Sequence, residues 1–121
     1  MRHIVKRNKC DKYGRRVGLW YDYHIGGFNN PKLYSKGSYS EGKKIGEWFY
    51  YHMNGNLWHR GSYLRGLKVG IWERYRSNGL LECSGSYLNG IEEGIFNYYR
   101  ENGDLWHSNL YKGGELIRIN I

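Results

Sequence analysis

A spacing of 24 residues constrains this chain more than any other feature. It links Gly46, Gly70 and Gly94; Trp48, Trp72 and Phe96; and Tyr51, Tyr75 and Tyr99. It links Asn54, Asn78 and Asn102, each followed by glycine, and Leu33, Leu57, Leu81 and Leu105. It also links Gly37, Gly61 and Gly85; Tyr39, Tyr63, Tyr87 and Tyr111; and Gly42, Gly66, Gly90 and Gly114. A further copy opens at Gly14, with Gly18, Trp20 and Tyr23. Its offset from Gly18 to Gly46 is 28, so four extra residues lie in the stretch 25–32. Agreement over so many columns is a repeat architecture, which must be read before any motif.

Each unit is a β-rich run, Asn-Gly and a second β-rich run, the signature of a β-hairpin. Asn54-Gly55 and its counterparts predict two-residue type I′ turns, and the Gly-centred junctions predict turns into the next hairpin. No segment has helical periodicity. The expectation is an all-β chain. Tandem β-hairpin repeats of 24 residues form an elongated, curved, single-layer antiparallel sheet. The units divide as 14–41, 42–65, 66–89 and 90–113, with a lead-in strand in 1–13 and a cap strand in 114–121. Composition agrees: 18 Gly for turns, and 13 Tyr with 5 Trp for pleated, half-buried surfaces, against 1 Pro.

A two-residue turn sets the register. Trp48 then faces Gly61, and Tyr63 faces Gly46. The same rule places Trp72 opposite Gly85, Tyr87 opposite Gly70, Trp20 opposite Gly37 and Phe96 opposite Asn109. Large rings over glycines are a sheet-stabilising device. One face therefore carries these columns and the leucine column, all near-constant between units. The other face varies, pairing Tyr51 with Trp58, Tyr99 with Trp106, Tyr23 with Tyr34 and Tyr75 with Glu82. Further along it pairs Phe49 with Arg60, Tyr21 with Lys36, Glu73 with Ser84 and Asn97 with Ser108. Repeat proteins hold scaffold columns and vary recognition columns. The candidate binding residues are accordingly Tyr21, Tyr23, Tyr34, Lys36, Phe49, Tyr51, Trp58, Arg60, Tyr75, Tyr99 and Trp106.

These residues resemble the MORN-repeat superfamily in its variant form. Gly46, Trp48, Tyr50, Tyr51, Asn54, Gly55 and Leu57 carry the resemblance, and Gly94 to Leu105 repeats it with Phe96 for Trp. It covers about Gly14 to Gly114. The resemblance implies stacked hairpins acting as interaction scaffolds, in some cases at membranes, and in many bacterial variants as immunity or antitoxin components. It transfers no binding motif. The longer first loop and Asn109 in place of glycine depart from the pattern.

Charge adds a second signal, with 19 basic residues against 11 acidic and a formal net of +8. Such a balance favours anionic partners. Arg15, Arg16, Lys43, Lys44, Arg65 and Lys68 fall at junction turns. With Arg2, Lys6, Arg7 and Lys9 they predict a basic strip along one edge, interrupted by Glu92 and Glu93.

Catalytic constellations are not expected. His59, Cys83 and His107 share a column, but an intervening strand keeps neighbours ~9–10 Å apart. Zinc ligands must meet at one ion, and a Cys–His pair must be in hydrogen-bond reach. Glu92 and Glu93 read as a solvated turn, and no phosphate loop precedes a helix. The chain is read as having no metal, no cofactor and no enzymatic activity. Two lone cysteines, Cys10 and Cys83, make no disulfide framework, and the charged start lacks a signal peptide, so the expectation is cytoplasmic.

Two functions compete at this level. One is a non-catalytic module binding another protein with an acidic surface, as an immunity- or antitoxin-like inhibitor. The other is a binder, or sponge, of an anionic nucleotide or nucleic acid, using basic and aromatic residues. Anionic membrane surface and homo-oligomers formed through edge strands, at Ile4–Lys9 and near Leu116–Ile121, are lesser partners.

Overall fold

A computed structural model describes residues 7–25 and 31–120. The described residues form a single open sheet of ten strands ordered as in the sequence, each antiparallel to the last. The strands are β1 (Lys9–Cys10), β2 (Arg16–Tyr23), β3 (Leu33–Ser40), β4 (Lys43–Tyr51) and β5 (Leu57–Leu64). They continue as β6 (Leu67–Tyr75), β7 (Leu81–Leu88), β8 (Ile91–Tyr99), β9 (Leu105–Lys112) and β10 (Glu115–Asn120). The tandem-hairpin fold class is therefore as expected. The tail adds β10 to the last hairpin, while residues 4–6 of the expected leading edge and most of the long first loop lie outside the described residues. Among the described residues no helix is long and apolar enough to cross a membrane.

The turn assignment is reversed. Asn54-Gly55 is not a type I′ pair, because Gly55 alone has positive φ, +92°. The loop has three residues, closed by His52 N–H donating to Asn56 O at 2.9 Å. Gly55 N–H donates to His52 O at 2.9 Å, and Asn56 N–H donates to Asn54 Oδ1 at 2.9 Å. This is a type I-like turn followed by a left-handed glycine. The two-residue primed turns are the junctions. Glu41 and Gly42 have φ 51° and 80°, Arg65 and Gly66 52° and 81°, and Asn89 and Gly90 51° and 81°.

A three-residue loop shifts the strands by one, and a bulge shifts them back. Tyr51 pairs with Leu57, not Trp58, while Tyr50 pairs with His59 and Trp48 with Gly61. Trp58 is the extra residue. Likewise Tyr23 pairs with Leu33, Tyr75 with Leu81 and Tyr99 with Leu105. The expected tip pairs of Tyr23 with Tyr34, Tyr51 with Trp58, Tyr75 with Glu82 and Tyr99 with Trp106 are therefore corrected. The leucine column, expected on the scaffold face, moves to the other face opposite those tyrosines. The inner pairs of Phe49 with Arg60, Tyr21 with Lys36, Glu73 with Ser84 and Asn97 with Ser108 stand.

The rings also cover different glycines from those expected. Trp48 pairs with Gly61, yet its indole lies across Gly37 on the preceding hairpin. A β-carbon on Gly37 would sit 2.1 Å from the Trp48 ring, and one on Gly61 2.1 Å from the Trp72 ring. Gly85 lies under Phe96 in the same way, at 2.3 Å. A β-carbon on Gly46 would meet nothing within 4 Å, although Gly46 pairs with Tyr63; its φ of +66° is what demands glycine.

Rings thus tie each hairpin to its predecessor. Trp20, Tyr39, Trp48, Tyr63, Trp72, Tyr87, Phe96 and Tyr111 form an edge-to-face ladder with centroid spacings of 5.0 to 6.4 Å. Such contacts add ~0.5–1.5 kcal/mol each to the area buried. Trp48 and Trp72 are 1% and 5% exposed, so one face of a single sheet holds the core. Indole Nε1 of Trp48 donates to Ser38 O and that of Trp72 to Ser62 O, both at 3.1 Å.

Both sheet margins repeat a tie of their own. At the junctions, Gly42 N–H donates to Arg16 O, Gly66 to Lys44 O and Gly90 to Lys68 O, at 2.8–2.9 Å. At the tips, Nε2 of His24 donates to Tyr51 O at 2.9 Å and that of His52 to Tyr75 O at 2.8 Å. Arg76 takes the same place in the next unit, Nη2 donating to Tyr99 O at 2.9 Å.

Candidate functional site

The bulge at each tip divides the predicted binding residues between two faces. A bulge turns its extra residue toward the face of its neighbour. Trp58 accordingly packs with the buried Trp48, Tyr50 and Trp72, meeting the His59 ring edge-on at 4.8 Å. Tyr34 joins it, 5.8 Å from Tyr50. Trp106 stands edge-on to His107 at 4.5 Å. Glu82 reaches Arg74 on the ladder side. Tyr34, Trp58 and Trp106 are therefore on the ladder face, contrary to expectation. Tyr21, Lys36, Phe49, Tyr51, Arg60, Tyr23, Tyr75 and Tyr99 remain on the other. There Lys36 Nζ lies 5.4 Å from the Phe49 ring and 5.9 Å from Tyr51, and Arg60 pairs with Glu73 at 2.9 Å.

The basic edge divides similarly. Arg16, Lys44 and Lys68 fold down onto the ladder. The Arg16 guanidinium lies 4.2 Å over Trp20, Lys44 Nζ 4.7 Å over Trp48 and Lys68 Nζ 4.6 Å over Trp72. Burial against the rings lowers the pKa of both lysines. Arg15, Lys43 and Arg65 instead line a concavity of about 420 Å³ beside Ser40, Glu41 and Ile45. Arg15 is paired with Asp11 at 2.9 Å. Arg2 and Lys6 of the expected strip lie outside the described residues; the junction residues form two separate groups, because neighbouring residues point to opposite faces.

The opposite face carries a feature that the repeat pattern does not announce. Leu64, Leu67, Ile71, Leu88, Ile91 and Ile95 are 46–69% exposed. The junction turns pair Leu64 with Leu67 and Leu88 with Ile91. Leu67 Cδ2 comes within 3.4 Å of a β-carbon position on Gly90, so the two junctions abut. Beside them a groove of about 350 Å³ is lined by Glu47, Arg60, Gly61, Ser62, Ile71 and Glu73. In the first junction the matching places hold Ser40 and Lys43, a difference visible on aligning the units.

On the ladder face the third unit breaks the pattern. Tyr50 stacks on His59 at 4.2 Å, and Tyr98 on His107 at 4.9 Å. Between them stand Arg74 and Cys83, paired in register. Arg74 Nε is held by Glu82 Oε1 at 2.6 Å. A pocket of about 170 Å³ opens here, lined by Trp58, His59, Lys68, Trp72, Glu73, Arg74, Cys83, Gly85, Tyr87 and Phe96. Burial, then the charges of Lys68 and Arg74, holds His59 down to about 4, so the imidazole is neutral. Burial pushes the Cys83 thiol up, so it stays protonated. Burial pushes Tyr98 up to about 12. The His–Cys–His column is therefore ring support and gap, with His59 and His107 each under a tyrosine. Among the described residues no three His, Cys, Asp or Glu side chains converge as a metal requires. Glu93 accepts from Gly113 N–H at 2.8 Å, a turn contact.

No protein-family model matches the chain, and no curated protein matches it in sequence.

Proposed function

We propose that this chain is a non-catalytic interaction module of MORN-like type that binds another protein through the face opposite the aromatic ladder. The observation that carries the reading is the exposed apolar band of Leu64, Leu67, Ile71, Leu88, Ile91 and Ile95. Exposed, contiguous apolar side chains rimmed by charge are what protein interfaces use. The rim is cationic at Lys43 and Arg65, which suits an acidic partner surface. Phe49, Tyr51 and Arg60 extend the same face with residue types enriched at binding hot spots.

The resemblance to variant MORN repeats extends this to an inhibitor of immunity or antitoxin type. The competing role, binding nucleotides or nucleic acid along a basic aromatic strip, has less support. Lys44 and Lys68 already lie over the rings that bases would stack on.

The test is co-purification from the native host with wild type and with Ile71→Glu/Ile91→Glu. One protein partner, recovered with wild type and lost with the variant at unchanged circular dichroism, is the expected result. Recovery of nucleotide or nucleic acid without a protein, or a partner indifferent to the substitutions, overturns the reading.

A further inference from the structure

The pocket at Arg74 and Cys83 is a copy of the nest that holds Tyr50, without its tyrosine. In the second unit the Tyr50 ring stacks on His59 at 4.2 Å and lies beside Trp48 and Trp72 at 6.1 and 6.5 Å. Tyr34 meets it edge-on at 5.8 Å. Its hydroxyl accepts from Lys44 Nζ at 2.8 Å and bonds to the Tyr63 hydroxyl at 2.9 Å. One period on, the equivalents of His59, Trp48, Trp72, Tyr34, Lys44 and Tyr63 are Cys83, Trp72, Phe96, Trp58, Lys68 and Tyr87. Every one of them lines the pocket. The residue in the place of Tyr50 is Arg74, and Glu82 draws its side chain off, leaving it about half exposed. The fourth unit refills the place with Tyr98, stacked on His107. The pocket is thus flanked on both sides by units that show what fits it.

We propose that this pocket binds a single aromatic ring carrying a terminal oxygen, seated as Tyr50 is seated in its own unit. The ring lies against Cys83, between Trp72 and Phe96, with Trp58 at its edge. Sulfur is a favourable neighbour for a ring face or edge. The oxygen meets Lys68 Nζ and the Tyr87 hydroxyl, as the Tyr50 oxygen meets Lys44 and Tyr63. The cation of Lys68, with Arg74 at the mouth, favours an oxygen that is anionic or strongly accepting. At about 170 Å³ the space falls short of the ~300–1,000 Å³ that drug-sized ligands occupy, so it suits one ring. Two sources supply this chemistry: a tyrosine side chain presented by a partner, or a free aryl acid. The site is on the ladder face and stands independently of docking on the opposite one.

The test is a 1H–15N NMR titration of the full chain with N-acetyl-tyrosinamide, N-acetyl-phenylalaninamide and 4-hydroxybenzoate. The tyrosine amide or the hydroxybenzoate should shift Lys68, Trp72, Cys83, Tyr87 and Phe96 resonances at millimolar concentration. The phenylalanine amide should bind at least about fivefold more weakly, since it lacks the oxygen that meets Lys68 and Tyr87. Tighter binding of the tyrosine amide points to a side chain from a partner, and tighter binding of hydroxybenzoate to a free acid. Arg74→Tyr/Cys83→His restores the native stacked pair from within; it should abolish binding and raise Tm. If that variant does not fold, Lys68→Met serves, with an expected loss of about fivefold. No perturbation by any probe, equal binding of the phenylalanine amide, or unchanged affinity in the folded variants overturns the proposal.

Discussion

The indole of Trp48 lies so close over Gly37 that a β-carbon there would fall 2.1 Å from the ring. The contact spans the boundary between two repeats, so it joins units and does not stabilise one alone. Its equivalent at Trp72 and Gly61 makes a direct test. Gly61→Ala should cost about 3 kcal/mol in chemical denaturation, since a β-carbon 2.1 Å from the Trp72 ring must push that ring off the strand it covers. Asn109 stands in the same column, but β10 has no aromatic residue to cover it. Asn109→Gly and Asn109→Ala should both stay within about 1 kcal/mol of wild type. A cheap Gly61→Ala would mean the rings are not held against the glycines.

Phe96 takes the place of an indole and cannot donate to Ser86 O as Trp72 donates to Ser62 O at 3.1 Å. Phe96→Trp should therefore stabilise the fourth unit by about 1 kcal/mol, read as a raised denaturation midpoint. A lower midpoint would show that the Phe96 site has closed around the smaller ring.

Arg65 holds φ at 52° in a two-residue junction turn, a conformation that asparagine and glycine adopt more readily. Arg65→Asn should raise stability by about 0.5 kcal/mol. Asn54→Ala at the hairpin tip tests the opposite assignment. It removes Asn54 Oδ1 as acceptor for Asn56 N–H and Nδ2 as donor to Ser77 O, so it should cost about 1 kcal/mol.

Burial, helped by Lys68 and Arg74, holds the folded pKa of His59 at about 4, below the ordinary 6.5. Above pH 6.5 neither folded nor unfolded chain protonates it. Between about 6.5 and 4 the unfolded chain takes up a proton that the folded chain refuses, so stability falls as pH falls. The loss should reach about 1–3 kcal/mol by about pH 4. His59→Phe, which keeps a ring under Tyr50, should lack this share of the decline. Parallel curves for the two proteins would place His59 in solvent.

Cys10 is exposed, whereas Cys83 is half-buried with its thiol pKa raised by burial. Iodoacetamide at about pH 8 should modify Cys10 first and reach Cys83 only slowly until denaturant is added. Mass spectrometry of the peptides reads this directly. Equal rates would mean that the ladder face opens at the third unit.

Register was legible in the sequence for a reason the sequence conceals. A two-residue Asn-Gly turn predicts the pairing of Trp48 with Gly61, and that pairing occurs. The real loop is one residue longer, and the bulge at Trp58 restores the same alignment. Loop and bulge cancel over the inner strands and leave their difference only at the tip. Tyr34, Trp58 and Trp106 therefore lie on the face opposite to the one alternation predicts, while Phe49 and Arg60 do not. The Tyr50 nest was readable in principle. Aligning the units sets Arg74 and Cys83 against Tyr50–His59 and Tyr98–His107, but alignment alone does not say that those pairs stack.

The 24-residue period by itself dictated an all-β chain of tandem hairpins, because turn residues and alternating aromatic runs recurring at that step leave no other way to satisfy the backbone. Tertiary structure decided which face each tip residue serves and which glycine each ring covers. Facing follows from period-two alternation, so one residue gained or lost in a loop reverses it. Ring placement follows from side chains leaning across a neighbouring strand, so the glycine opposite Trp48 in register is not the glycine beneath it.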